Sequence, residues 1–225
     1  MKNSFIPSRF KIIFTALYFL ILTTGVEANF VQQGGKLVGT DAVGTAFQGN
    51  SVSISSDGNT AIVGGLSDNS GIGAVWVWTR SGGVWSQQGG KLVGKGVGLY
   101  QEQGKSVSLS SDGNTAIVGG INDSGHTGAA WVWTRSGGVW SQQGSRLVGT
   151  DAVCHAYQGN SVSISSDGKT AIVGGPLDGS SNCMVVDSSL NKGAVWVFTR
   201  SGGVWSQQGS KLVGKGGVPS HAVAA

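Results

Sequence analysis

The sequence predicts an all-β chain of tandem four-stranded antiparallel blades, a partial, three-blade β-propeller-like array. Three observations predict it. Gln-Gln-Gly-x-Lys/Arg-Leu-Val-Gly begins at Gln32, Gln87, Gln142 and Gln207, at spacings of 55, 55 and 65 residues. Ser-Val-Ser-Ile/Leu-Ser-Ser-Asp-Gly recurs from Ser51, Ser106 and Ser161. Strands of the type Val-Trp-Val-Trp-Thr-Arg recur from Val75, Ala130 and Val195. A fixed period of this size marks supersecondary units that bury their faces against one another, and no segment shows a helical period.

The first 28 residues read as an address. Lys2, Arg9 and Lys11 precede the apolar run Ile12 to Leu22, and Val26-Glu27-Ala28 offers small residues at a cleavage site. This is the pattern of a secretory signal cut after Ala28. The rival reading, an uncleaved anchor, meets a run shorter than the roughly 20 residues a span requires. No later stretch is apolar enough to cross a membrane, so the expected location is secreted or at the cell surface. Of 15 Lys+Arg and 11 Asp+Glu, Lys2, Arg9, Lys11 and Glu27 leave with the signal. The mature chain keeps 12 basic and 10 acidic groups. That balance, spread along the repeats, is no nucleic-acid footprint.

Within the first unit, Ser51 to Ser55 alternates, with Val52 and Ile54 on one side, as a period-two strand does. Asp57-Gly58 then signals a hairpin, and Thr60 to Gly65 returns. A loop from Leu66 to Gly73 leads to Ala74–Arg80, apolar on both faces and so expected to be covered on both. Ser81-Gly82-Gly83 turns the chain into a fourth strand from Val84, running irregularly to Val93. Four strands per unit of this length is the form of a propeller blade. Trp76 and Trp78, Trp131 and Trp133, and Trp196 and Phe198 share a face and are expected to fill the gaps between blades. Trp85, Trp140 and Trp205 follow a turn and are the better candidates for exposure. The units run about 40–94, 95–149 and 150–214, preceded by a lone last strand at 30–39 and followed by an off-pattern tail at 215–225.

These residues resemble the FG-GAP repeats of the integrin alpha-chain propeller and its bacterial relatives. Phe47-Gln48-Gly49-Asn50-Ser51-Val52, Thr60-Ala61-Ile62-Val63-Gly64-Gly65 and Gly73-Ala74-Val75-Trp76 carry the likeness in unit one. Gly104-Lys105-Ser106-Val107, Ile117-Val118-Gly119-Gly120 and Gly128-Ala129-Ala130-Trp131 correspond in unit two. Tyr157-Gln158-Gly159-Asn160-Ser161-Val162, Ile172-Val173-Gly174-Gly175-Pro176 and Gly193-Ala194-Val195-Trp196 correspond in unit three. The resemblance implies a binding role, because such propellers commonly mediate adhesion. It departs from the family in two ways. The loops that carry an Asp-x-Asp-x-Asp-Gly calcium site in integrins hold one carboxylate here, at Asp57, Asp112 and Asp167. Calcium takes about six to eight oxygens, so these are turn residues and no cofactor is expected. Closed propellers have about four to eight blades, and this chain supplies three. The chain is then a fragment of a longer propeller, a unit that self-associates through open blade edges, or an open array.

The units differ most in the loop between second and third strands, which is expanded by ten residues in unit three. Asp68, Asn69, Asn122, Asp123, Asp178 and Asp187 are the candidate ligand-binding groups there, since loops on one side of an array are where binding usually lives. Asn122-Asp123-Ser124 is also a glycosylation sequon. Cys154 and Cys183 occur only in unit three and form a candidate disulfide in an exported chain. His126, His155 and His221 have no partners at metal spacing. No nucleophile elbow, phosphate loop or dinucleotide fingerprint appears, and the acidic residues are mostly one per turn where a glycosidase needs a convergent pair. The expected function is therefore a non-enzymatic recognition or adhesion module for a protein or glycan surface ligand. The alternative is a structural or degenerate repeat protein with no ligand of its own.

Overall fold

The computed structural model describes residues 31–95, 100–179 and 192–214. The expected signal segment 1–28, the tail 215–225, Cys183 and Asp187 lie outside the described residues. The unit from Gln33 onward holds three four-stranded antiparallel sheets, each in simple chain order. The first contains β1 (Ser51–Ile54), β2 (Thr60–Gly65), β3 (Ala74–Ser81) and β4 (Val84–Gln87). The second contains β5 (Ser106–Leu109), β6 (Thr115–Gly120), β7 (Ala129–Ser136) and β8 (Val139–Gln142). The third contains β9 (Ser161–Ile164), β10 (Thr170–Gly175), β11 (Ala194–Ser201) and β12 (Val204–Gln207). Register repeats from blade to blade: Val52 faces Val63, Val107 faces Val118 and Val162 faces Val173. The chain is an all-β, propeller-like array of blades.

The period-two alternation decides how the blades stack. One face of each blade carries the Trp pair. The other carries two serines of the first strand with Ile and Val of the second and third. Ile62, Val75 and Val77 of the first blade pack on Val107, Leu109, Val118, Trp131, Trp133 and Trp140 of the second. Ile117, Val132 and Leu147 of the second pack in the same way on Ile164, Val173, Trp196 and Phe198 of the third. Trp131 and Trp196 are wholly buried in the seams, as expected for gap fillers, while Trp76 is wholly buried under Leu37, Ala42 and Ala46 of its own entry segment. Hydrogen bonds cross each seam: Ser51 Oγ donates to Gly104 O at 2.7 Å and Ser106 Oγ to Gly159 O at 2.8 Å.

Three details differ from the sequence expectation. Residues 31–39 carry no strand. Their counterpart Leu92 bridges to Val75 in the third strand before it, and no such strand precedes residue 37 among the described residues. The loops 68–71 and 123–126 contain a single tight turn each, with left-handed conformations at Asn69, Ser70, Ser124 and Gly125. The outer tryptophans are not free surface: Trp140 is 9% exposed. Arg80, Arg135 and Arg200 lie over the rings of Trp85, Trp140 and Trp205 at 5.4–5.7 Å, in cation–π range.

Candidate functional site

Each sheet has two edges where the chain turns. On one, Asp57, Asp112 and Asp167 close the first hairpin. Asp57 accepts from Ser55 Oγ at 2.5 Å and from the Asn59 N–H at 2.9 Å, and the Ser55 hydroxyl above all holds its carboxyl below the ordinary range. Its oxygens are thus spent on the turn, as the sequence implied. The left-handed residues on this edge are glycines, such as Gly58, Gly82 and Gly83.

The opposite edge is built differently. It joins the entry turn of each repeat (residues 40–50, 100–105 and 150–160) to the loop between second and third strands. Among the described residues, all nine non-glycine residues with positive φ fall on it: Phe47, Asn69, Ser70, Tyr100, Glu102, Ser124, His126, Cys154 and Tyr157. Such conformations cost about 1–2 kcal/mol for a residue with a side chain, and they persist only where surrounding bonds over-determine them. Here the bonds are visible. Val43 N–H donates to Asp68 Oδ1 at 2.7 Å and Asn69 N–H to Val43 O at 2.9 Å. Across the seams, Glu102 N–H donates to Gly71 O at 2.9 Å and Tyr157 N–H to His126 O at 3.0 Å.

This geometry sorts the candidate residues. Asp68, Asp123 and Asp178 are buried and paired with Lys91, Arg146 and Lys211 at 2.5–2.6 Å. The carboxylates of Asp68 and Asp178 pin the loop to the entry turn, whereas Asp123 meets Arg146 and the Ser124 hydroxyl through Oδ2; a ligand in solvent cannot reach these buried groups. Val153 N–H repeats for Asp178 what Val43 does for Asp68. Asn69 is exposed, and Asn122 Oδ1 sits 2.7 Å from His126 Nδ1. Cys154 is not a free thiol and takes the left-handed place of Gly44.

The residues that sequence reasoning passed over are aromatic. Phe47 and Tyr100 are 62% and 60% exposed. The exposed His126 ring stacks on Tyr157 at 5.3 Å and meets His155 edge-on at 5.5 Å. The signal was present: aromatic side chains in otherwise polar turns, two of them directly before Gln-Gly. No group of three or more metal-ligating side chains occurs among the described residues.

No family model matches the chain, and no curated protein is similar to it in sequence. Solved structures are similar in shape. Sqt1 of Saccharomyces cerevisiae matches at TM-score 0.44 and 15% identity, over 72% of this chain and 34% of that one. A putative 6-phosphogluconolactonase of Bacteroides uniformis matches at 0.45 and 12%, over 77% and 44%. TolB of Acinetobacter baumannii matches at 0.37 and 13%, over 70% and 31%. The chain thus corresponds to under half the length of each. No helix among the described residues is long and apolar enough to cross a membrane.

Proposed function

We propose that this chain is a non-enzymatic recognition module of FG-GAP type, exported by its N-terminal segment, that binds a surface ligand through its aromatic turn edge. One observation carries the reading. Every described side chain held at positive φ lies on that edge, while the other edge meets the same need with glycine. Strained, over-determined backbone that presents a side chain is more readily explained by binding than by folding, because glycine would serve the turn alone. Flat rings with polar neighbours suit the C–H faces of a sugar ring or an apolar protein knob. A glycan is the first ligand to test.

The labelled full chain should be retained on a glycan array or on glycan-bearing cells. Tyr100→Gly should reduce binding at least tenfold. It should leave stability within about 1 kcal/mol, because glycine takes this φ freely. Val84→Ala, on the other edge, should change nothing. Binding that Tyr100→Gly and Phe47→Ala both leave intact would overturn the reading. So would the absence of binding to glycans and cell surfaces alike, which would leave a structural protein without a ligand.

A further inference from the structure

The two ends of the array present unequal faces. The first blade has the β1 side of its Trp face free: Val52 and Ile54 are 68% and 57% exposed, where Val107 and Leu109 at the same positions of the second blade are 9% and 8%. The third blade has its serine face free: Ile172 is 44% exposed, where Ile62 and Ile117 are fully buried. Each internal seam joins one Trp face to one serine face. Among the described residues, the three-blade array therefore presents one copy of each half of its own seam, one at either side.

We propose that a second copy of this chain docks head-to-tail on these faces, so that two three-blade arrays close a six-blade ring. Six lies inside the range of about four to eight blades that closed propellers adopt. The two junctions would be related by a two-fold axis, each pairing unlike surfaces.

Details of the free serine face fit a missing neighbour. A Cβ on Gly64 or Gly119 would overlap the backbone of the next blade's Gly104 or Gly159, and one on Gly73 or Gly128 would overlap Gln103 or Gln158. Gly174 and Gly193 occupy the same places in the third blade and meet no such neighbour. Beside them lies a hollow of about 310 Å³, lined by Asn160, Ser161, Gly174, Pro176 and Leu212 among others. In the first blade the counterparts of two of these residues, Asn50 and Ser51, donate to Gly104 O across the seam. Asn160 and Ser161 are thus set to donate to Gly49 O of an incoming copy. Likewise Leu109 N–H donates to Ser53 Oγ and Ile164 N–H to Ser108 Oγ, which leaves Ser163 Oγ to receive the incoming Ile54 N–H.

One seat is contested. A Cβ on Gly39, Gly94 or Gly149 would overlap the indole of Trp76, Trp131 or Trp196, whereas one on Gly214 would meet nothing within 4 Å. Four glycines thus address three tryptophans. Residues 33–39 already hold the seat on the first blade, with Arg80 Nη1 donating to Gln33 Oε1 as Arg135 Nη1 donates to Gln88 Oε1. Closure leaves either this segment or the incoming residues 208–214 in each seat, not both.

The mass of the purified full chain, followed by light scattering or sedimentation across concentration, tests the proposal. We expect twice the mass of one chain. Val52→Asp and Ile172→Asp, both at exposed positions and both checked for native circular dichroism, should each weaken association at least tenfold. Mixed one to one, they should regain a dimer, because the mixture contains one unaltered Trp face and one unaltered serine face. A single-chain mass at every concentration would overturn the proposal and point to further blades in a longer protein. A dimer that survives either variant alone would overturn it too, since it would have to join like faces.

Discussion

β2, β6 and β10 have the same six residues, Thr-Ala-Ile-Val-Gly-Gly, and three different environments. In the middle blade all six are buried. In the first blade Thr60, Ile62 and Gly64 are buried while Ala61 and Val63 are half-exposed. In the third blade the phase reverses: Ala171 and Val173 are buried, Thr170 and Gly174 are half-exposed and Ile172 is exposed. Burial here is no property of the strand. It records which faces have a neighbour, and in a stacked array stability is a sum of unit and seam contributions.

The sharpest way to break that comparison is to place the same charge at the same site in each blade. Ile117→Asp buries an unpaired carboxylate between two blades and should cost over about 4 kcal/mol, or abolish folding. Ile62→Asp should be nearly as severe, because its face lies in the first seam. Ile172→Asp should stay within about 0.5 kcal/mol, as surface changes do. Urea unfolding at concentrations low enough to keep the chain monomeric measures all three. Equal losses at Ile117 and Ile172 would mean that the third blade's serine face is covered even in the monomer.

This also explains what the sequence could and could not reveal. Repeat period, strand alternation and Asp-Gly hairpins are local signals, and they specify the blades, their register and the Trp faces. The environments of Ile117 and Ile172 cannot be told apart from their identical flanks, because only the count of neighbouring blades separates them. The candidate site failed for a related reason. Asp68, Asp123 and Asp178 stand in polar loops and read as solvent groups, yet their partners Lys91, Arg146 and Lys211 lie 23, 23 and 33 residues away. Phe47 reads as a motif residue, and Tyr100 stands outside the motifs, until their backbone conformation and exposure are known.

The pinned loops give an intermediate effect that should be nearly equal in the first and third blades, unlike the core substitutions. Asp68→Ala removes a buried carboxylate that serves both Val43 N–H and Lys91 Nζ, and Asp178→Ala does the same for Val153 and Lys211. Each should cost about 3 kcal/mol, in keeping with breaking one partner of a buried pair. Thermal unfolding checks it. A near-neutral Asp68→Ala would show instead that the carboxylate is free enough to meet a ligand.

The smallest expected effect separates the end blades from the middle one by acid. Trp76 Nε1–H donates to Asp41 Oδ1 and Trp196 Nε1–H to Asp151 Oδ1, both at 2.7 Å. Trp131 Nε1–H donates instead to the backbone oxygen of Lys95 at 2.9 Å, which does not titrate. Burial alone would raise the Asp41 carboxyl, but the Lys91 N–H, the Trp76 indole and other bonds outweigh it and hold the group below its ordinary value. The Lys211 N–H leads in lowering Asp151, joined by Trp196 and Gln207. A carboxyl whose folded pKa is depressed contributes stability that is fully present above its unfolded value, near 4 for aspartate, and is lost as pH falls through the folded one. The wild-type chain should therefore lose melting temperature as the pH falls below about 4. The double variant Asp41→Asn, Asp151→Asn should start lower and fall less over that window. Parallel pH profiles for the two would show that the links between Asp and Trp do not distinguish the end blades, and that the acid response arises in the hairpin aspartates all three blades share.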